Sequence, residues 1–440
     1  MKPERFAPRI LVLAVLLLAI QPAGAQLRLP GLPLPDRIGP VGLGELGRLQ
    51  RPAESLLDRT ALPDLQGLRL EQVTNLLARH PDVLAPDALG NPTVRGEILA
   101  WSPGAAGLAV AKDAGMTVAR EQDHPELGHK LVVLRMAPGG SAAGLLAMLR
   151  TADPQGIYDL NHVFTGSGAG GAPAAPGTGA GAPHAGGPAV RVGLVDSGVD
   201  RAHPVFDGVA VRQWGCGGTP HPAPHGTAVA ALMVGRSDHF SGAAPGAGLF
   251  AADVYCNEPV GGSVDRITAA LAWLAREEVG VINISLVGPH NAALGRAVQA
   301  MLARGHLLVA AVGNDGPAAP ALYPASYAGV VGVSGVDRRG RVLPEAGRGP
   351  QVMFAAPGSQ MVSAVPGTPP YRQVRGTSYA APIVSAMLAP RLARPSREAA
   401  QRALAELGRE ATRADAASVS NATGLGIVGA GVRTDPARLR

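Results

Sequence analysis

From Ala189 onward, short apolar runs alternate with longer segments of helical spacing, and this alternation constrains the fold more than any other feature of the chain. The runs are Arg191–Val195, Gly248–Tyr255, Val281–Ile284, Leu307–Val312 and Val330–Val333. Each is too short for a helix and too continuously apolar for a strand with one wet face, so it reads as a strand buried on both sides. Helical spacing runs through Val264–Glu278 and His290–Arg304, and again after His225 and after Ser378. Strand, helix and strand in repetition predict an α/β domain: a parallel sheet with helices on both faces. Sheets of this kind collect their functional groups outside the carboxyl ends of the strands.

Polar residues stand at those ends. Val192-Gly-Leu-Val-Asp196-Ser-Gly closes a strand with a carboxylate and a glycine turn, and the run from Leu307 leads to Asn314. His225-Gly226-Thr227 opens one small-residue helix, and Gly376-Thr377-Ser378 opens another that continues through Ile383 to Leu388. A serine at a helix N-terminus has unpaired amides and the positive end of the helix dipole beside it, which suits an oxyanion. Pro382 is expected in that first turn, where a missing N–H forfeits no bond. Taken singly, these residues read as a turn aspartate, a surface histidine, an Asn-Asp-Gly turn and a helix cap. Together, Asp, His and Ser are the parts of a nucleophilic acyl-transfer site, and the Asn is a donor for its oxyanion.

In this order, Asp196-Ser-Gly, His225-Gly-Thr, Asn314 and Gly376-Thr-Ser378 resemble the subtilisin-like serine proteases, the subtilase family. The resemblance continues through Ala244-Pro-Gly, Val281-Ile-Asn-Ile-Ser-Leu, Tyr323-Pro-Ala and Ala356-Pro-Gly, with Gly424-Leu-Gly as a closing turn. It implies a serine endopeptidase with Asp196, His225 and Ser378 as catalytic residues. Asn314 and the Ser378 backbone amide would form the oxyanion hole. Ser285-Leu286-Val287-Gly288 would pair with the extended backbone of a protein or peptide substrate. Three positions depart from the family pattern: Val287 replaces a glycine, Ala228 a frequent second histidine, and Tyr379 a methionine. The chemistry requires no cofactor, and no Cys/His cluster suggests zinc, so no metal ligand is assigned. Structural calcium is compatible with the family, bound through scattered loop oxygens that one sequence cannot locate. Two other readings compete. A sedolisin-like acid peptidase also uses a G-T-S serine, but His225-Gly-Thr and Asn314 speak against it. A catalytically silent binding or scaffold protein would not need all four parts.

The N-terminal half supplies the organisation. Lys2, Arg5 and Arg9 precede an apolar core from Ile10 to Ile20 and the Ala23-Gly24-Ala25 pattern, so residues 1–25 read as a secretory signal peptide. Residues 26–96 form a Pro- and Leu-rich segment with a short amphipathic helix over Glu71–Arg79. Over 97–164 the patterns run β-α-β-β-α-β, a small α+β ferredoxin-like arrangement. In the resembling family such a domain is an inhibitory propeptide, which implies a zymogen whose own prodomain is an intramolecular inhibitor. Residues 165–188 are a Gly/Ala/Pro linker, and 189–440 the subtilisin-like catalytic domain. Maturation cleavage is expected between about Phe164 and Pro188, and no repeat, barrel or anchor is expected beyond the catalytic domain.

Composition narrows the partners. Of 440 residues, 46% are hydrophobic and 16% charged, which indicates a globular chain. The net charge of +6 comes from arginines scattered singly, without basic runs or interleaved aromatics, which argues against nucleic acid as a partner. No later stretch reaches the ~20 unbroken apolar residues of a membrane span. The expected location is therefore exported, periplasmic or extracellular. The two cysteines, Cys216 and Cys256, are even in number and meet an oxidising compartment, so a disulfide is expected, with two buried thiols as the alternative.

Overall fold

The computed structural model describes residues 65–137, 139–166, 190–413 and 419–435. The stretch expected to be a signal peptide, most of the Pro/Leu-rich segment and the expected linker from residue 167 lie outside them. In chain order the N-terminal elements are α1 (Leu65–Arg79), β1 (Leu84–Pro86), β2 (Pro92–Trp101), α2 (Ala105–Asp113), β3 (Thr117–His124), β4 (His129–Arg135), α3 (Ala142–Ala152), β5 (Ile157–His162) and β6 (Thr165–Gly166). The second part holds β7 (Arg191–Asp196), β8 (Val211–Trp214), α4 (Pro224–Val234), β9 (Gly248–Asp253), α5 (Val264–Arg276), β10 (Val281–Ile284), β11 (Leu286–Val287), α6 (Ala292–Ala303) and β12 (Leu307–Ala311). Then follow β13 (Val331–Val336), β14 (Val352–Pro357), β15 (Met361–Ala364), β16 (Tyr371–Val374), α7 (Thr377–Leu388) and α8 (Arg397–Glu410).

The large sheet is seven-stranded, parallel throughout, in the order β14-β13-β12-β10-β7-β9-β8. The winding reverses beside β7: the chain builds outward to β8 and β9, then crosses to β10 on the other side. That switch point opens a crevice at the carboxyl ends of β7 and β10. Side chains alternate along each strand, so β7 divides its residues between two cores. Val192 and Leu194 pack with α4 and α7, whereas Val195 packs with Ile267, Leu271 and Leu274 of α5. Asp196 has the parity of Leu194 and emerges on the face of α4 and α7.

The N-terminal sheet centres on β2, antiparallel to β1, β4 and β5, with β3 outside β4. Its continuous apolar runs are explained by burial on both faces. Ile98, Ala100, Val132 and Leu134 face α2 and α3, while Leu99, Trp101, Leu131 and Val133 join the core of α5 and α6. Ser141 caps α3, accepting a hydrogen bond from the Gly144 amide. Asp159 and Asn161 of β5 reach the amino ends of two helices of the other part: Asp159 accepts from the Ala292 amide and Asn161 from the Asp265 amide. Arg120 joins the same seam, donating to both Glu97 and Asp265.

Among the differences between sequence expectation and structure, four matter here. The N-terminal part is larger than 97–164: α1 begins at Leu65, and β1 with the first half of β2 completes the sheet. Thr165 and Gly166, which composition assigned to the linker, form β6 because they find a partner strand in β11. The helix expected from His290 starts at Ala292, because the Asn291 side chain caps it by accepting from the Leu294 amide. Pro382 lies inside α7 and not in its first turn. The carbonyl it deprives of a helical partner is that of Ser378, and Ser285 Oγ donates to it at 3.1 Å.

Candidate active site

Four segments converge at the switch point. Asp196 ends β7 almost fully buried, and its Oδ1 accepts from the Ser197 amide at 2.7 Å, from Ser197 Oγ at 3.0 Å and from His225 Nδ1 at 2.8 Å. Since a carboxylate only accepts, His225 carries its proton on Nδ1 and leaves Nε2 as the basic nitrogen. That Nε2 is buried without a hydrogen-bond partner among the described residues. Burial opposes the charged imidazolium, but the charge and hydrogen bond of Asp196 together outweigh it and hold the His225 pKa above its ordinary value of 6.5.

The chain around this pair is stitched at close quarters. Ser197 Oγ accepts from the Gly226 amide at 3.0 Å, and Thr227 Oγ1 from the Asp200 amide at 2.9 Å. A Cβ on Gly226 would lie 2.1 Å from the Ser197 carbonyl oxygen, so only glycine lets the start of α4 approach β7 this closely. His225-Gly-Thr is thus a docking surface for the Asp196 turn as well as the carrier of the imidazole.

Ser378 is the second residue of α7 and is buried, in a first turn whose amides have no helical acceptor. Gly376 sits at φ 129°, where other residues are strained. Asn314 lies against this turn: its Oδ1 accepts from the Thr377 amide at 2.9 Å, and its Nδ2 would be 3.0 Å from a Cβ at Gly376. With its carbonyl oxygen engaged by Thr377, the amide NH2 is the group that Asn314 has for any further acceptor. α7 is anchored from below by a buried polar chain. Asn283 donates to Ser285 Oγ, Ser285 to the Ser378 carbonyl, and Ser385 Oγ to Asn283 Oδ1. The Tyr379 ring lies 5.5 Å from that of His225.

A strand of the chain itself occupies the adjoining groove. β6 runs antiparallel to β11, with Gly166 opposite Leu286 and Thr165 opposite Val287. Upstream, the Phe164 amide donates to the Gly262 carbonyl at 2.8 Å, Tyr255 Oη donates to the Phe164 carbonyl at 3.1 Å, and Val163 bridges Ser263. Phe164 is fully buried between the two walls. A Cβ on Gly288 would come within 2.6 Å of its ring, so the bare glycine makes room for it. Burying such a ring contributes about 1.5–3 kcal/mol.

Cys216 and Cys256 form a disulfide, Cα to Cα 5.2 Å. It ties the loop after β8 to the segment running from Cys256 to Gly262, the wall that holds Phe164. The bridge closes a loop of 40 residues, worth roughly 3–4 kcal/mol in chain-entropy terms. Among the described residues Cys216, Asp253 and Cys256 are the one cluster of three metal-ligating side chains. It does not fit calcium, which takes about six to eight oxygens. Both sulfurs are bonded to each other, and Asp253 Oδ1 already accepts from the Tyr255 and Cys256 amides.

A family model described as the Subtilase family matches residues 187–426. The chain belongs to the subtilase family. This subtilase is 33% identical to thermitase of Thermoactinomyces vulgaris over 207 residues, which cover 45% of the chain and 73% of thermitase. It is 34% identical to subtilisin Savinase of Lederbergia lenta over 204 residues, 45% of the chain and 74% of that protein. Its fold is similar to that of fervidolysin from Fervidobacterium pennivorans, with TM-score 0.62 at 20% identity. That match covers 77% of the chain and 61% of fervidolysin. The protein is therefore a subtilisin-like serine endopeptidase, of a family whose chemistry needs no cofactor. Among the described residues no helix is long and apolar enough to cross a membrane.

Every site residue named from the sequence falls in or beside this crevice. Sequence reasoning missed Ser197, Thr227, Tyr255, Gly262 and Phe164. Ser197 and Thr227 stood inside motifs already quoted, where their hydroxyls were the available signal. Tyr255 and Gly262 act only once β5 and β6 bring distant chain beside them.

Proposed function

We propose that this subtilase is an exported serine endopeptidase made as a self-inhibited precursor, with residues up to about 166 as propeptide. The observation that carries the reading is the antiparallel pairing of Thr165–Gly166 with Leu286–Val287. An extended peptide added to a short strand in this way gains main-chain bonds with little demand on its sequence. The occupant here belongs to the chain itself, and it enters the groove next to Ser285, whose hydroxyl touches the Ser378 carbonyl. Export rests on Lys2, Arg5, the apolar core and Ala23-Gly24-Ala25, residues outside those described.

In this reading Ser378 attacks the scissile carbonyl while His225 Nε2 takes the Oγ proton, then returns it to the leaving amine. Asp196 fixes the tautomer and stabilises the imidazolium. The tetrahedral oxyanion receives the Ser378 amide and the Asn314 NH2, both held before the reaction begins. Water, activated by the same histidine, releases the acyl group.

Two results follow from the assignments. Because the base must be neutral, activity rises as pH rises through the His225 pKa. With that pKa held above 6.5, the acid limb of kcat/KM for the mature enzyme is expected above that value. A profile across about pH 5–9 checks it; a limb below 6.5 would show that Asp196 does not hold the imidazole charged.

The second result concerns maturation. N-terminal sequencing of exported wild-type protein should find a new terminus beyond Gly166 and no later than about Ala189, whereas Ser378→Ala protein keeps its propeptide. A wild-type chain that is active and uncut would sink the precursor reading.

A further inference from the structure

The helix α1 stands outside the ferredoxin-like element order, yet it touches the groove at two places. Leu76 and Leu77 pack against a cluster of Leu84, Val94 and Val163, the last of which leads β6 into the groove, and Val260 of the opposite wall packs against the same cluster. Eight residues before Leu77, Arg69 Nε meets Asp315 Oδ2 at 3.1 Å, with only 19% and 14% of the two side chains exposed. Asp315 directly follows Asn314. A helix rises about 1.5 Å per residue, so roughly 12 Å of α1 bridges the tail strand and the residue after the oxyanion donor.

The ion pair has a physical reason to matter. Burial drives the Asp315 pKa up, and the Arg69 charge pulls against that. Among the described residues Arg69 is the only cation within ion-pair distance of Asp315. Without it, Asp315 would be a poorly solvated carboxylate on the rim of the groove, a costly state. The Arg69 charge also acts on Tyr255, whose hydroxyl holds the Phe164 carbonyl. The two anchors are of different kinds, apolar at one end and ionic at the other, and each includes one residue of the catalytic part, Val260 or Asp315.

We propose that the rim formed by Asp315 and Val260 is a docking surface for an arginine-bearing amphipathic helix, and that α1 is its intramolecular occupant. It straps the propeptide tail into the groove as a second inhibitory element. This rests on the precursor reading and adds a component to it: the β6–β11 pairing alone does not hold the groove closed; the strap keeps the tail strand from lifting.

The test uses the full chain carrying Ser378→Ala, so that self-cleavage cannot intervene, and follows amide exchange at Phe164, Thr165 and Gly166. Arg69→Glu should speed exchange there at least tenfold, because it sets two carboxylates against each other, and Arg69→Ala should do so to a smaller degree. Adding Asp315→Arg to Arg69→Glu should restore slow exchange, which a merely structural role of either residue would not produce. Exchange in β2 and β4 reports whether the N-terminal part stays folded; if Arg69→Glu disturbs it, Arg69→Ala decides. Unchanged exchange at 164–166 in both Arg69 variants, with wild-type protection intact, overturns the strap and leaves the precursor reading standing. Fast exchange in the unmodified arginine chain would overturn both.

Discussion

Ser378→Ala is expected to lower peptide hydrolysis by at least ~10³-fold. The magnitude follows from where the substitution acts. In the proposed mechanism it removes the atom that forms the acyl bond and leaves the backbone contacts of the crevice in place. Gly376 keeps its backbone, the Thr377 amide keeps Asn314, and the Ser378 carbonyl keeps Ser285. Residual turnover would come from binding and oxyanion contacts alone, acting on water. The fold should be undisturbed, since loss of one hydroxyl leaves the helix backbone intact. Steady-state kinetics on a mature enzyme, with circular dichroism as control, checks both. Retention of more than about a tenth of wild-type turnover would remove Ser378 from the role of nucleophile.

Asp196→Asn is the second large effect, with an expected loss of about 10⁴ in kcat near neutral pH. One oxygen of Asp196 collects three donors, from the Ser197 amide, Ser197 Oγ and His225 Nδ1. The other, Oδ2, is buried with no hydrogen-bond partner among the described residues. An asparagine that keeps its carbonyl towards the three donors puts its NH2 in that unpartnered position, at the cost of a buried unsatisfied donor. Turned the other way, it donates to His225 Nδ1 and forces the proton onto Nε2, the atom that the proposed mechanism uses as base. Either arrangement also removes the charge that raises the His225 pKa. The variant should therefore lose turnover at neutral pH and move its acid limb downwards. A loss under tenfold with an unmoved limb would mean that Asp196 only shapes the turn.

The two predictions separate chemistry from scaffolding because the residues differ in what surrounds them. Ser378→Ala keeps the backbone bond from Ser285 to the residue's carbonyl, so it tests the hydroxyl with that anchor in place. Asp196 is held through its side chain, so its substitution tests tautomer, charge and turn together, and the pH profile is needed to tell them apart.

Much of this was legible in the sequence. The apolar runs from Arg191 to Val333 determined a buried parallel sheet, because a strand with both faces covered has no room for alternation. The polar residues closing those runs determined where chemistry would collect, because strand ends are the places where side chains escape the core. The four ordered motifs carried the family. The β-α-β-β-α-β pattern was readable for the same reason: Ile98–Trp101 and Leu131–Leu134 are apolar on both faces. The sequence could not say that the second face is covered by α5 and α6 of the other part.

What only the tertiary structure decided depends on contacts between residues far apart in the chain. Thr165 and Gly166 belong by composition to a linker, and become a strand because Leu286 and Val287 offer an edge more than a hundred residues away. Pro382 looks like a first-turn proline, and is tolerated within α7 because Ser285 supplies the donor that the helix lacks. Cys216 and Cys256 pair because β8 and β9 run side by side and bring their following loops together, which spacing alone does not reveal. Arg69 is one basic residue in an unremarkable helix until folding sets Asp315 beside it. Local pattern fixes what each segment can be, since periodicity and turn chemistry act within a few residues. Which segments meet is settled by the burial of shared surface and the pairing of buried charge, and those are properties of the assembled chain.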